Sequence, residues 1–214
     1  MSLAHDYVLD RAPRTRPAPA VFSLVGAVRS YGRDQEIFGE GESADFVYTV
    51  LSGAVRCFRI LGDGRRQISG FYLPSDIFGL ETGCTHHVTA EAIGRTTARV
   101  SRWTALADAE DGEHRLCRTL AAELRRAQDH IITLGRRGAT ERVGAFLIDL
   151  AERIGEAETV ELPMTRQDVA DYLGLTIETV SRTLTHLREE GFIRLRGLRD
   201  IELKRRGALA QLTE

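Results

Sequence analysis

The sequence predicts an α+β chain in which a set of short strands is followed by one long helix and then by a C-terminal helix-turn-helix with a β-hairpin wing. Three observations predict it. Residues 21 to about 103 hold short apolar runs cut at close intervals by glycine, the pattern of a sandwich or barrel. From about Asp111 to Leu134 the apolar residues take a heptad spacing instead. Between Thr165 and Arg188 two segments with helix-capping residues flank Gly174.

Taken in order, residues 1–20 carry Pro13, Pro17 and Pro19 among Ala and Arg without periodicity, and disorder is expected there. The strand-rich domain is expected over residues 21–110. Its clearest β-like runs are Phe46 to Ile60 and Gln67 to Leu73, joined by Leu61-Gly62-Asp63-Gly64-Arg65 as a hairpin turn. Residues 111–138 are expected to form a helix and a hinge. Leu120, Leu124, Ala127, Ile131 and Leu134 follow one another at four, three, four and three residues, a coiled-coil seam that Leu116 precedes, so a homodimer interface is expected along it. The competing reading is an amphipathic helix packed on the strand domain, with Leu116 and Cys117 starting the contact. Gly135 and Gly138, with Arg136 and Arg137 between them, read as the hinge into a last domain over residues 139–214. There Val143, Phe146, Leu147, Leu150 and Ala151 mark a helix beneath the motif.

In the motif, Thr165 is an N-cap with Asp168 three residues on, and Val169, Ala170 and Leu173 give the first helix its apolar face. Gly174 ends it. Thr176 caps the second helix, Val180, Leu184 and Leu187 form its buried stripe, and Gly191 closes it. That geometry lays the second helix in a DNA major groove. Glu178, Ser181 and Arg182 share its early outward face: arginine can bond guanine bidentately, glutamate can accept from a cytosine amino group, and serine can sit against thymine. These three are the expected base readers. Thr165, Arg166, Thr176 and Thr179 are expected on the DNA backbone. After the helix, Phe192 to Arg196 alternates apolar and basic residues, Gly197 breaks the run, and Ile201-Glu202-Leu203 resumes it, which reads as a hairpin wing whose Arg194 and Arg196 also hold the sugar-phosphate backbone.

The formal net charge of the 214-residue chain is only −2, but its distribution fits double-stranded DNA as a partner. Phe192 to Arg206 carries six basic residues against two acidic ones, whereas Glu152, Glu156, Glu158 and Glu161 gather ahead of the motif. With 43% apolar residues, no apolar run of membrane-spanning length and no signal-peptide pattern, a soluble, cytoplasmic protein with no membrane partner is expected. Cys57, Cys84 and Cys117 are few and scattered, which fits a reducing compartment and buried free thiols.

These residues resemble the cyclic-AMP receptor/FNR superfamily of bacterial transcription regulators over roughly residues 21 to 205. The arrangement Glu178-x-x-Ser181-Arg182 is similar to the FNR/FixK branch, as are the stretches Ala122 to His130, Leu134 to Arg137 and Ala139 to Val143. The resemblance implies a β-roll of the cyclic-nucleotide-binding type, a dimer on a TTGAT-like palindrome, and an activator that meets RNA polymerase. It also raises the question of a ligand. Cyclic-AMP receptors hold the phosphate with a Gly-Glu pair and an Arg-Ser pair. This chain has Phe78-Gly79-Leu80 and His86-His87-Val88-Thr89 in those places, with neither the glutamate nor the arginine, so cyclic AMP is not expected. No cysteine precedes Cys57 and the gaps of 27 and 33 residues match no iron–sulfur spacing, so no cluster is expected either. Cys84, His86 and His87 leave open a metal, or a haem in a gas-sensing regulator, against a polar hairpin tip with an incidental His pair, which is the reading adopted. No cofactor and no enzyme activity are expected. A cupin-type metal enzyme needs histidines from separate strands, whereas neighbours on one strand face opposite ways.

Overall fold

The computed structural model describes residues 26–212 apart from 82, 105–111, 137, 156–157 and 198. The disorder expected for residues 1–20 and part of the hinge, Arg137, lie outside them. Eight strands come first: β1 (Ala27–Tyr31), β2 (Glu36–Phe38), β3 (Phe46–Ser52), β4 (Val55–Ile60), β5 (Arg66–Tyr72), β6 (Ile77–Phe78), β7 (Thr89–Ala92) and β8 (Thr96–Arg102). They form two antiparallel four-stranded sheets in the orders β1-β8-β3-β6 and β2-β7-β4-β5. The expected hairpin joins β4 to β5, closed by Leu61 N–H on the Arg65 carbonyl at 2.8 Å.

The single run from Phe46 to Ile60 is two strands in different sheets. The chain changes sheet at Gly53, whose φ is +81° and where a Cβ would lie 2.5 Å from the Arg95 carbonyl oxygen, so no other residue fits. Between the sheets Phe38, Tyr48, Val50, Val55, Cys57, Phe78 and Val100 form one core. Strand β4 is buried on both faces. Val55 and Cys57 point into that core, while Phe58 faces a second one shared with the helices.

Helix α1 (Gly112–Arg136) confirms the long helix, and α2 (Ala139–Ile154) buries Val143, Phe146, Leu147, Leu150 and Ala151 as expected. Helices α3 (Arg166–Leu173) and α4 (Ile177–Glu189) form the motif, and β10 (Ile193–Leu195) with β11 (Asp200–Leu203) forms the wing. Two elements were not foreseen. Strand β9 (Thr159–Glu161) adds a third strand to the wing in the order β10-β11-β9, and α5 (Arg206–Leu212) packs on α2 through the fully buried Leu209.

The second core runs without a break from the β-roll into the C-terminal helices. Phe58, Ile68, Phe71, Leu73 and Ile93 of the roll belong to one cluster with Phe146, Leu147, Val169 and Leu173. Phe71 lies 5.1 Å from the Tyr172 ring and 6.2 Å from that of Phe146. Charges close the rim. Asp168 Oδ1 accepts from Arg66 Nη2 at 2.6 Å and from Arg56 Nη1 at 3.4 Å, and Arg56 is also held by Asp34 and Glu91. Asp76 accepts from Arg126 of α1 at 3.2 Å and from Arg153 of α2 at 2.7 Å.

The expectation of three buried thiols holds only for Cys57, where burial raises the thiol pKa. Cys84 and Cys117 are exposed, the first in an irregular loop and the second on the solvent side of α1.

Two measurements test this packing. Asp168→Asn keeps the side chain's shape but removes the buried charge that Arg56 and Arg66 share, leaving Arg56 only Asp34 and Glu91 and leaving Arg66 only Asp171, so urea denaturation should show a loss of about 2–3 kcal/mol. The second concerns His130, which stacks on Tyr172 with ring centroids 3.9 Å apart and whose pKa burial lowers to about 4. The folded state holds this ring neutral, so its stabilising contribution is complete above the ordinary histidine value of about 6.5 and is lost as pH falls towards 4. His130→Phe keeps a stacked ring without a titrating nitrogen, and its melting temperature should fall less than that of the parent over that window.

Candidate nucleic-acid interface

Each end of the motif is fixed by local chemistry. Thr165 Oγ1 accepts from Asp168 N–H at 3.1 Å and Asp168 Oδ2 accepts from Thr165 N–H at 2.9 Å, a reciprocal cap. Gly174 stops α3 at φ +62°, and Thr176 Oγ1 then accepts from Thr179 N–H at 3.2 Å to open α4. Val180, Leu184 and Leu187 are buried as expected, joined by Thr183. Glu178 and Arg182 are exposed on the opposite side, with Ser181 half-buried between them. Hydrogen bonds from its own backbone N–H and from Thr176 at the helix start, with Arg182 one turn on, lower the pKa of Glu178. The carboxylate is therefore charged at neutral pH.

The structure adds detail to the six residues expected on the DNA backbone. Thr165 Oγ1 also donates to Asp168 Oδ2 at 2.7 Å, so both of its hydroxyl roles serve the cap. Thr176 and Thr179 face one another with their Oγ1 atoms 3.1 Å apart. Arg166 Nη1 donates to Ser181 Oγ at 3.3 Å, which ties α3 to the middle of the outward face of α4. Thr185, His186 and Glu189 line a shallow depression with Ser181 and Arg182. They lie outside the expected DNA-contacting set, although a spacing of four residues from Arg182 to His186 places both on one face.

The wing arginines are not equivalent. Arg194 stands directly opposite Glu202 in the β10–β11 register and, among the described residues, makes no ion pair. Arg196 Nε donates to Glu202 Oε2 at 2.8 Å, and Lys204 pairs with Oε1 of the same carboxylate. Glu202 is only 6% exposed, and bonds from Lys204 and Arg196 lower its pKa to about 2. Arg205 lies over the Phe192 ring and Arg206 reaches Glu152 at 3.6 Å.

On α1 the seam residues turn outward. Leu124 and Ile131 are 61% and 67% exposed, Leu120 and Ala127 are exposed too, and Leu116 and Leu134 are half-buried. The face turned to the body instead carries Arg126, paired with Asp76, and His130, stacked on Tyr172.

Within the β-roll, His86 does not sit at a polar tip. It is 2% exposed and stacks on Phe38 with centroids 3.6 Å apart, its pKa lowered by burial, while His87 turns outward and bonds Glu81 at 2.9 Å. The two histidines diverge although neither lies on a strand: the pair sits in the irregular segment that leads into β7. Among the described residues no three His, Cys, Asp or Glu side chains converge as metal ligands. Gly79, with φ +75°, lies beneath the same aromatic group: a Cβ there would come within 2.9 Å of the Tyr48 ring. No helix of the described residues is long and apolar enough to cross a membrane.

Residues 141–212 match the family model for a Crp-like helix-turn-helix domain, and residues 28–109 match that for a cyclic nucleotide-binding domain. The nitrogen fixation regulation protein FixK of Azorhizobium caulinodans is 48% identical over 206 residues, covering 92% of this chain and 83% of that protein. The transcriptional activatory protein AadR of Rhodopseudomonas palustris is 44% identical over 190 residues, covering 84% and 80%. The solved structure of FixK2 from Bradyrhizobium japonicum superposes with a TM-score of 0.85 at 45% identity, covering 89% of this chain and 98% of that one. The chain therefore belongs to the Crp/Fnr family of transcription regulators, among its FixK-like members.

Proposed function

We propose that this regulator binds a two-fold symmetric, TTGAT-like site as a homodimer, reading bases with Glu178, Ser181 and Arg182 and needing neither cyclic AMP nor an iron–sulfur cluster. The observation that carries the reading is the outward face of α4, where a charged carboxylate and a guanidinium that makes no ion pair among the described residues flank a small hydroxyl. In this reading Thr165, Arg166, Thr176, Thr179, Arg194 and Arg196 lie along the DNA backbone. The capped threonines contribute mainly by fixing the helix starts, where backbone N–H groups attract phosphate.

The dimer forms along Leu116, Leu120, Leu124, Ala127, Ile131 and Leu134. Its support is the exposed heptad seam on a helix whose polar face is already taken up by the body of the chain. The domain boundaries belong to the same reading, with the β-roll ending near residue 110 and the DNA-binding part starting near 139. Independence from cyclic AMP rests on Leu80 and His86 in place of phosphate-binding residues and on the aromatic side chains that fill the roll. Activation through RNA polymerase is proposed by analogy with the relative named an activatory protein, which makes this a cytoplasmic protein acting at promoters.

Two experiments test this function. Leu124→Asp combined with Ile131→Asp should give a monomer by size-exclusion chromatography with weakened DNA binding; a persistent dimer would show that the seam lies elsewhere. Arg182→Ala should cost about 1–3 kcal/mol on the symmetric site and little on random DNA, so the specificity ratio falls. Equal losses on both duplexes in a titration would place the base-reading residues elsewhere on the helix.

A further inference from the structure

The wing carries a nearly buried carboxylate on the face where cations are wanted, and its geometry gives it a task. Glu202 lies on the central strand of the three-stranded sheet, between β10 and β9, with Arg194 as its cross-strand partner. Each of its oxygens takes one cation, Oε2 from Arg196 and Oε1 from Lys204. The contact to Arg196 is made at Nε. A guanidinium has five N–H donors, so with Nε engaged the four on Nη1 and Nη2 remain, and among the described residues nothing else bonds them. A fork held at its base and open at its tips suits bidentate bonding to a phosphate.

We infer that Glu202 is a positioning residue for DNA binding: it holds the Arg196 guanidinium in place, ready for a backbone phosphate. This rests on the reading of the wing as a phosphate-contacting surface. An arginine side chain loses much rotamer freedom when it is immobilised at an interface. Glu202 removes part of that freedom before DNA arrives. Its own charge opposes the DNA, and the register sets Asp200 and Glu161 on the same sheet face against Arg194, Arg196 and Lys204, but that opposing effect fades as salt shortens the screening length.

The test is a double-mutant cycle of Glu202→Ala and Arg196→Ala, titrated on specific and random duplexes at about 0.3 M salt, where the screening length is about 6 Å. In the parent background Glu202→Ala should weaken binding to both DNAs by about threefold to tenfold, and in the Arg196→Ala background it should cause no further loss. Tighter binding by Glu202→Ala would overturn the inference, because the carboxylate would then only repel phosphate. A loss that persists unchanged without Arg196 would overturn it too, because Glu202 would then serve the fold or Lys204. If Arg196→Ala alone costs nothing on either duplex, the phosphate reading of the wing fails, and the inference with it. Should Glu202→Ala lower the melting temperature, Glu202→Gln repeats the cycle with the side chain's shape kept. Arg196→Lys keeps the charge but has no Nε donor behind its tip, so it should bind as weakly as Glu202→Ala and be insensitive to Glu202→Gln.

Discussion

One carboxylate joins the two halves of this protein. Asp168 Oδ2 closes the cap that starts the first helix of the motif, and Oδ1 receives Arg56 and Arg66 from two strands of the roll. It is 1% exposed, so its charge depends on those partners: an ionised group so far from water is tolerated only when paired and hydrogen-bonded. Division of labour between the two oxygens links the point where α3 begins to the position of β4 and β5. The placement of α3 and α4 relative to the roll follows from that link and from the apolar cluster beneath them.

Local features were legible in the sequence because their causes are local. The caps at Thr165 and Thr176, the stop at Gly174 and the buried stripe of α4 each rest on residues within one or two turns of each other. The heptad seam was legible for the same reason. Strand β9 was not, because three residues carry too little alternation to stand out from an acidic loop, and α5 depends on a single anchor, Leu209. Asp168 was readable as a cap but not as the acceptor of two arginines more than a hundred residues away.

The proposed DNA-binding surface divides in the same way. Glu178, Ser181 and Arg182 stand on one face of α4, which helical spacing alone predicts. The wing cations look alike in sequence, and only the strand register separates Arg194 from Arg196, which Glu202 holds. Period-two alternation does put Arg196, Glu202 and Lys204 on one face, so part of that arrangement was available in advance. The inward turn of His86 was not, since it depends on the Phe38 ring arriving from a strand some fifty residues earlier.

The apolar cluster that passes from the roll into the helices also limits how the chain can be divided. Phe58, Ile68, Phe71 and Leu73 lie on a face of the roll that the C-terminal helices cover, and Phe146 with Tyr172 completes it from the other side. A cut between α1 and α2 separates two regions that look independent along the sequence, yet it leaves an oily face on each fragment. Such faces favour self-association over solubility. A DNA-binding fragment made that way needs polar replacements at Phe146 and Tyr172 before its behaviour in isolation reflects its behaviour in the whole chain.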